Sequence, residues 1–465
     1  MMLFDTIAAI STPLGKGGVA VIRISGENAI RIASEVFEPI SKKVSSLCEV
    51  ESRYMCRGRI WRTFDSGERI SIDDGMAVVF RAPSSFTGED VVEINCHGGA
   101  LVTQNVLSSI VEAGARVAEA GEFTRRAFVN GKMKLTEAEA LGLLLEAETE
   151  NQLLISRGGM RGILSGVTEE IYKRLVEVMG SIWAKIDFPD EDLGELDASE
   201  IREELSAILG DVLSLAATYK TGRAISEGIA TAICGHTNVG KSSIYNRILG
   251  YDAAIVTDIE GTTRDVLREK VSFGGVTLRL SDTAGIRDTD DAVESIGIER
   301  AKAEISKCEL IFAVFDLQSE ISDEDKSFYR ELIAQNKKVI ALYNKVDAAQ
   351  RKNFEPCGFF DREIFVSAKT GEGFEDLVKA VGEMFIDGSI SLYNDAVVMD
   401  ARQYGSLIAT SESLERAINA IAGGLSLDLC ASDVEAAMTS LGELDGREVG
   451  EDIVANIFSR FCVGK

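Results

Sequence analysis

Along the first 120 residues, apolar positions alternate with polar ones or run in short β-branched stretches. GGVAVIRISG and GMAVVFRAP are examples, each broken by Gly or Pro. This pattern predicts strands. From residue 121 the period lengthens. LTEAEALGLLLEAETENQLLISRG carries apolar residues at helical intervals and opens with Thr136 and Glu139 at capping-box spacing, and SEIREELSAILGDVLSLAATYK is a second amphipathic helix. Residues 226–387 alternate strand-like and helix-like segments, as a doubly wound sheet does. The helical period then returns in LIATSESLERAINAIA, SDVEAAMTSLGELDG and GEDIVANIFSRF. Each helical half is short for a core of its own. The pattern therefore predicts a mixed β/α domain over 1–120 and one all-α domain in two parts, 121–225 and 388–465. A Ras-like doubly wound domain, 226–387, is inserted between those parts. The fold class is multidomain, α/β with α+β.

Charge and cysteine usage narrow the setting. The chain holds 49 Lys and Arg against 75 Asp and Glu, a formal charge of −26. That excludes non-specific attraction of the whole surface to nucleic acid or membrane and leaves room for a local basic patch. Eight scattered cysteines without a C-x-x-C pair, beside only two histidines, argue for reduced thiols and against a zinc site. MMLFDTIAAISTP lacks the basic start of a secretory signal and the arginines of a transit peptide. No apolar run reaches the ~18 residues of a membrane span. The expected location is the cytoplasm, with no membrane partner.

The inserted domain carries the clearest chemistry. Gly235 to Ser242, within IATAICGHTNVGKSSIYNRI, fits G-x-x-x-x-G-K-[ST] between a strand and a helix. Backbone N–H groups of such a loop, here including Asn238, Val239, Gly240 and Ser243, wrap phosphate oxygens at a helix N-terminus. Lys241 reaches the β- and γ-phosphates, and Ser242 binds Mg²⁺. LRLSDTAG ends a strand with Asp282, Thr283, Ala284 and Gly285, Asp282 placed for a contact to Mg²⁺ through water and Gly285 for the γ-phosphate. VIALYNKVD ends another with Asn344, Lys345, Val346 and Asp347, and EIFVSAK a third with Ser367, Ala368 and Lys369. All four motifs lie at C-terminal strand ends, where open α/β sheets bind ligands. Asp347 offers two acceptor oxygens to guanine N1–H and N2–H₂, which adenine lacks together. A site built for such bonds rejects the wrong base by ~10⁴ or more. The nucleotide is GTP. Ile286 stands where many GTPases place a water-orienting Gln, so another polar group must act or hydrolysis is very slow. The acidic stretch that follows, with Asp288, Asp290, Asp291 and Glu294, reads on composition as a solvated loop.

The chain resembles the MnmE (also called TrmE) family of tRNA-modification GTPases over nearly its whole length. The resemblance rests on DTIAAISTPLGKGGVAVIRISG, SFTGEDVVEINCHGG, GEFTRRAFVNGKMKLTEAEA, GHTNVGKSSIYN, VTDIEGTTRD, DTAGIRDTDDAVESIGIERA and the terminal FCVGK. It implies a homodimeric, K⁺-activated GTPase. With an FAD-containing flavoprotein, MnmG (GidA), such an enzyme installs a (carboxymethyl)aminomethyl group at C5 of the wobble uridine of certain tRNAs. The one-carbon donor is a tetrahydrofolate derivative, 5-formyl or methylene. The same resemblance assigns K⁺ to Asn238, Thr257, Ile259 and Thr262, in a nucleotide loop that also contains Asp258, Glu260 and Gly261. It assigns Thr263 to Mg²⁺ beside Ser242, and the positioning of the attacking water to Glu294. The family usually has Pro where Thr237 stands.

By the resemblance, residues 1–120 form a folate-binding and dimerisation domain with Arg23, Glu93 and Lys132 at the cofactor. Lys465, at the end of the FCVGK tail, joins them. Without the resemblance, Arg23 is a strand-edge charge, Lys132 a solvated lysine and GKGG at 15–18 a turn. Phe461 suits a helix anchor. Cys462 fits two roles, a thiol in the uridine chemistry or a small packing residue near the pocket. The rival class is a ribosome-assembly or RNA-docking switch GTPase, which shares the G motifs but lacks the first 120 residues and the tail seen here.

Overall fold

The computed structural model describes residues 5–465 except 14, 41–43, 65, 188–196, 252–268, 282–304, 349–353, 448, 460, 462 and 465. The chain divides into two compact units, Met1–Gly142 with Gly442–Lys465, and Leu143–Leu441.

The first unit is built on a seven-stranded sheet. Its strands are β1 (Ile7–Ile10), β2 (Val19–Ser25), β3 (Phe37–Pro39), β4 (Met55–Thr63), β5 (Arg69–Phe80), β6 (Val91–His97) and β7 (Arg116–Val117), in the order β3-β4-β5-β6-β2-β1-β7. Period-2 alternation sorts the residues of each strand. Ile22 and Ile24 of β2, with Val92 and Ile94 of β6, turn to one face, where the helices Ala29–Val36 and Ala100–Glu112 supply Ile32, Ala33, Val106 and Ile110 to a single core. Arg23 and Glu93, one residue out of that phase, are register partners on the opposite face.

The helix Glu122–Val129 is fixed by ions rather than by apolar contacts alone. Arg126 is fully buried. Its Nη1 donates to the Asp5 carbonyl at 2.8 Å and to Glu89 at 3.1 Å, and its Nη2 donates to Asp5 Oδ1 at 2.7 Å and Glu122 Oε1 at 3.1 Å. Arg116 clamps Glu122 from the other side with two bonds, 2.7 and 3.1 Å. Burial alone would raise the Glu122 carboxyl; the Arg116 bonds, the Glu119 N–H and Arg126 outweigh it and hold the group below its ordinary range.

The end of the chain belongs to this unit. Phe458, on the helix Glu451–Ser459, is buried against Leu135 and Ala138, with Phe128 and Phe461 beside it. Val463 forms an antiparallel bridge to Ala120, and Ser11 Oγ donates to the Gly464 carbonyl at 3.0 Å. Gly464 has φ +99°, and a Cβ there would overlap the Ile10 carbonyl, so the approach to β1 requires glycine.

The second unit holds long helices and a six-stranded sheet. The helices include Ile163–Asp187, Ala198–Ala217 and Ala401–Ala422. The strands are β8 (Ile229–Cys234), β9 (Glu269–Phe273), β10 (Val276–Ser281), β11 (Leu310–Asp316), β12 (Lys338–Asn344) and β13 (Arg362–Phe365), in the order β13-β12-β11-β8-β10-β9. Every pairing is parallel except β9 with β10. β8, β11 and β12 are near-continuous apolar runs because helices cover both faces of such a sheet. No helix among the described residues is long and apolar enough to cross a membrane.

One local expectation changes. Thr136 does not cap a helix. The helix runs Leu135–Glu146, so Thr136 sits in its first turn and donates to Asp445 Oδ1 at 3.3 Å, while Glu137 reaches back to the Lys134 N–H. The helical pattern then breaks, and the capping box falls at Thr149 and Gln152, opening Glu150–Met160.

Candidate nucleotide site and the pocket face of the first unit

Parallel pairing brings the C-terminal ends of β8, β11, β12 and β13 to one edge of the second sheet. The turn after β8 runs into the helix Lys241–Tyr251. It needs three unusual backbone states, Gly235 at φ +150°, Asn238 at φ +62° and Gly240 at φ +100°. A Cβ at Gly240 would overlap the Asn344 amide, which tells why glycine stands there. Lys241 Nζ donates to the His236 carbonyl at 2.7 Å, inside its own loop. Ser242 and Ser243 are exposed on the first helical turn. Together these features give a loop of backbone donors ahead of a helix N-terminus, the arrangement that suits phosphate.

Asn344 ties the loops together. It is 2% exposed; its Nδ2 donates to the Val239 carbonyl at 2.8 Å and its Oδ1 accepts from Ala368 N at 3.1 Å. Lys345, held at φ +71°, donates to the Asn238 carbonyl at 2.9 Å and to Asp316 at 2.7 Å. Burial by itself would raise the Asp316 carboxyl; the Lys345 bond, the Gln318 N–H and the Lys345 charge together outweigh it and lower the group. Ser367 is buried and donates to Asp347 Oδ1 at 2.7 Å, orienting a carboxylate that is otherwise exposed. Val346 is buried and Lys369 exposed. The structure thus brings Asn238, Val239, Gly240, Lys241, Asn344, Lys345, Asp347, Ser367 and Ala368 to one edge.

Thr257, Asp258, Ile259, Glu260, Gly261, Thr262 and Thr263 lie outside the described residues, as do Asp282, Thr283, Ala284, Gly285 and Glu294. Two residues not singled out in the sequence take part in this edge. Asp316 ends β11 as Asn344 ends β12, so its strand-end position was the available signal. Asp325 accepts from His236 Nε2 at 2.8 Å, an ion-pair geometry that no motif announces.

In the first unit, Arg23 meets Glu93 at 2.7 and 2.9 Å on the face opposite the helices Ala29–Val36 and Ala100–Glu112. The guanidinium lies over two rings, Phe86 at 5.6 Å and Phe123 at 5.7 Å. The loop that carries Phe86 also offers the Pro83 carbonyl to Lys132 Nζ, at 3.0 Å. Neither ring was expected from sequence. The tail approaches the same strands: Ser11, which holds Gly464, lies two residues beyond Ala9, the register partner of Arg23. Cys462 and Lys465 lie outside the described residues.

Comparison with known proteins follows the two units. A family model described as the MnmE helical domain matches residues 135–462, and one described as the GTP-binding protein TrmE N-terminus matches residues 6–132. Among curated relatives, the chain is similar to proteins named tRNA modification GTPase MnmE. That of Moorella thermoacetica is 41% identical over 474 residues, covering 100% of both chains. That of Thermoanaerobacter pseudethanolicus is 39% identical over 470 residues, again 100% of both. That of Lactobacillus johnsonii is 39% identical over 464 residues, covering 99% of this chain and 98% of its own.

Proposed function

Because this chain belongs to the MnmE family of tRNA modification GTPases, and so is a GTP hydrolase of tRNA modification, we propose that it is the K⁺-activated, homodimeric form of that enzyme. The observation that carries its nucleotide site is the Asn344 bridge, which joins the phosphate loop to the two base-reading loops at one sheet edge; K⁺ activation and the dimer follow from the family resemblance. Asp347, turned by Ser367, reads the guanine edge. Lys241 and the loop N–H groups hold the phosphates. Ser242 with Thr263 would hold Mg²⁺. Asn238, Thr257, Ile259 and Thr262 would hold K⁺, which supplies positive charge where other GTPases place an arginine, a contribution of ~10³–10⁵ in rate. Glu294 would orient the water in place of a side chain that Ile286 cannot supply.

The face of the first unit that carries Arg23 and Glu93 is the proposed folate site. Glu93 suits a pterin amide edge, and Arg23 with Lys132 and Lys465 suits the glutamate tail. A tetrahydrofolate derivative supplies the one-carbon unit there. An FAD-containing flavoprotein partner supplies the redox chemistry, and the product is a (carboxymethyl)aminomethyl group at C5 of wobble uridine in cytoplasmic tRNA. The decisive test is nucleoside analysis of tRNA from a deletion strain, which should lack that group. In parallel, hydrolysis should be far faster in KCl than in NaCl at matched ionic strength, and Asn238→Ala should abolish the difference while GTP still binds. Equal turnover in the two salts removes the K⁺ assignment.

A further inference from the structure

The loop after β13 carries Ser367, Ala368 and Lys369 and runs on through Gly371 and Gly373, at φ +90° and +80°, to the helix Phe374–Phe385. Two glycines in the left-handed region leave such a segment little stiffness of its own. It closes on itself through the Gly371 N–H, which donates to the Ser367 carbonyl at 2.8 Å, and the Ser367 N–H, which donates to the Glu372 carbonyl at 2.9 Å. Bonds inside a loop cannot fix it against another element. Asn344 reaches it from outside at the Ala368 N–H, and Arg247 reaches it at Thr370.

Arg247 lies on the helix Lys241–Tyr251, whose first turn is the phosphate site. Its Nη2 donates to the Thr370 carbonyl at 2.9 Å, across 123 residues of sequence. The guanidinium also lies 5.9 Å from the centre of the buried Phe374 ring, so one group touches both the middle and the end of the loop. A Cβ on Gly371 would overlap that guanidinium, so the close approach requires glycine. The connection continues inward. The Thr370 N–H donates to Ser367 Oγ at 3.1 Å, and Ser367 Oγ donates to Asp347 Oδ1 at 2.7 Å. With one lone pair taken by Thr370, the Ser367 hydroxyl is left to point its proton at Asp347. A run of hydrogen bonds thus joins the helix that opens at the phosphates to the carboxylate set for the base.

We propose that Arg247 is a positioning residue for guanine recognition: it pins Thr370, Thr370 fixes the Ser367 hydroxyl, and Ser367 turns Asp347 to accept from guanine N1–H and N2–H₂ together. The proposal rests on the base reading of Asp347 given above. Two bonds to one planar edge need the carboxylate in the plane of the ring, whereas a single bond tolerates a tilt. Loosening the relay therefore loses the second bond first.

Full-length Arg247→Met keeps an apolar stem near Phe374 and removes the donors. Arg247 is only partly buried, so the fold should tolerate the change. The probes are guanosine diphosphate and inosine diphosphate, which keeps N1–H and lacks the 2-amino group. Affinity for guanosine diphosphate should fall about tenfold, the worth of one hydrogen bond to a charged group. Affinity for inosine diphosphate should fall much less, so the preference between the two narrows. Arg247→Lys, which keeps the charge and loses the planar fork, should narrow it by a smaller factor. In Ser367→Ala protein the relay is already cut, and adding Arg247→Met should narrow the preference no further. An unchanged preference in Arg247→Met, an equal loss for both diphosphates, or a full additional loss on top of Ser367→Ala overturns the relay; the equal loss would assign Arg247 to the phosphate loop alone. Asp347→Asn reports separately on the base reading, so the relay can fail while that reading stands.

Discussion

The nucleotide edge and the Arg23 face are assembled in opposite ways. At the nucleotide edge, each contact comes from a short loop that follows a strand, and parallel pairing delivers the loops to one side. Asn344 and Lys345 then lock them with bonds to Val239, Ala368 and Asn238. At the Arg23 face the partners are scattered. Glu93 is 70 residues from Arg23 in sequence, and Gly464 is 453 residues from Ser11. Beside that face, Arg126 is 121 residues from Asp5 and 37 from Glu89. The first site is made by local backbone geometry repeated on a regular frame. The second exists only once the whole unit has closed.

Substitutions should separate the two. The largest effect is expected from Asp347→Asn, which turns one acceptor into a donor against guanine. Preference for GTP over xanthosine triphosphate should fall by ~10⁴ or more, read as the ratio of kcat/KM values, with the stability of the first unit untouched. Arg126→Met leaves Asp5, Glu89 and Glu122 without their shared cation. Removing one member of a buried ion network costs about 3–5 kcal/mol. In urea, Trp61 should report an earlier transition of the first unit while Trp183 reports an unchanged second unit. If both move together, the units do not unfold separately and the contrast fails.

Acid should act in the same direction as Arg126→Met. The folded carboxyl of Glu122 titrates below its ordinary value near 4.5, so its contribution is complete above that value and drains away as pH falls through the lower, folded one. Glu122→Gln should flatten the acid limb of the Trp61 transition. A smaller effect is expected from Gly464→Ala, about 1–3 kcal/mol at a strained backbone position. It should release the tail from β1, measured as faster amide exchange at Val463, and leave GTP hydrolysis as it was.

How much of each region is legible in sequence follows from the same contrast. Gly235 to Ser242 and Asn344 to Asp347 are read directly, because their chemistry lies in residues a few positions apart and their strands are plain apolar runs. Asp316 and the His236–Asp325 pair were missed, since each depends on a partner supplied by another strand or helix. Arg23 and Glu93 were visible only through family resemblance, because period-2 alternation marks them as outward-facing and does not say that they are register partners. Phe86 and Phe123, which flank Arg23, carry no periodic signal pointing to it. Thr136 shows the opposite failure: its spacing to Glu139 fits a cap, and the helix starts one residue earlier, so the hydroxyl serves Asp445, 309 residues away.

The bridge between Val463 and Ala120 also bears on how the protein is made. About 300 residues are synthesised between the two stretches of chain that compose the first unit. At ~5–20 residues per second the early part waits some 15–60 s for its closing piece. A product cut short before Phe458 lacks the Phe458 anchor, the strand bridge at Val463 and the Gly464 contact at β1. Closure of the first unit therefore waits on synthesis of residues 442–464, and a chain cut short before them but with an intact phosphate loop is one that can meet GTP without ever assembling the second site.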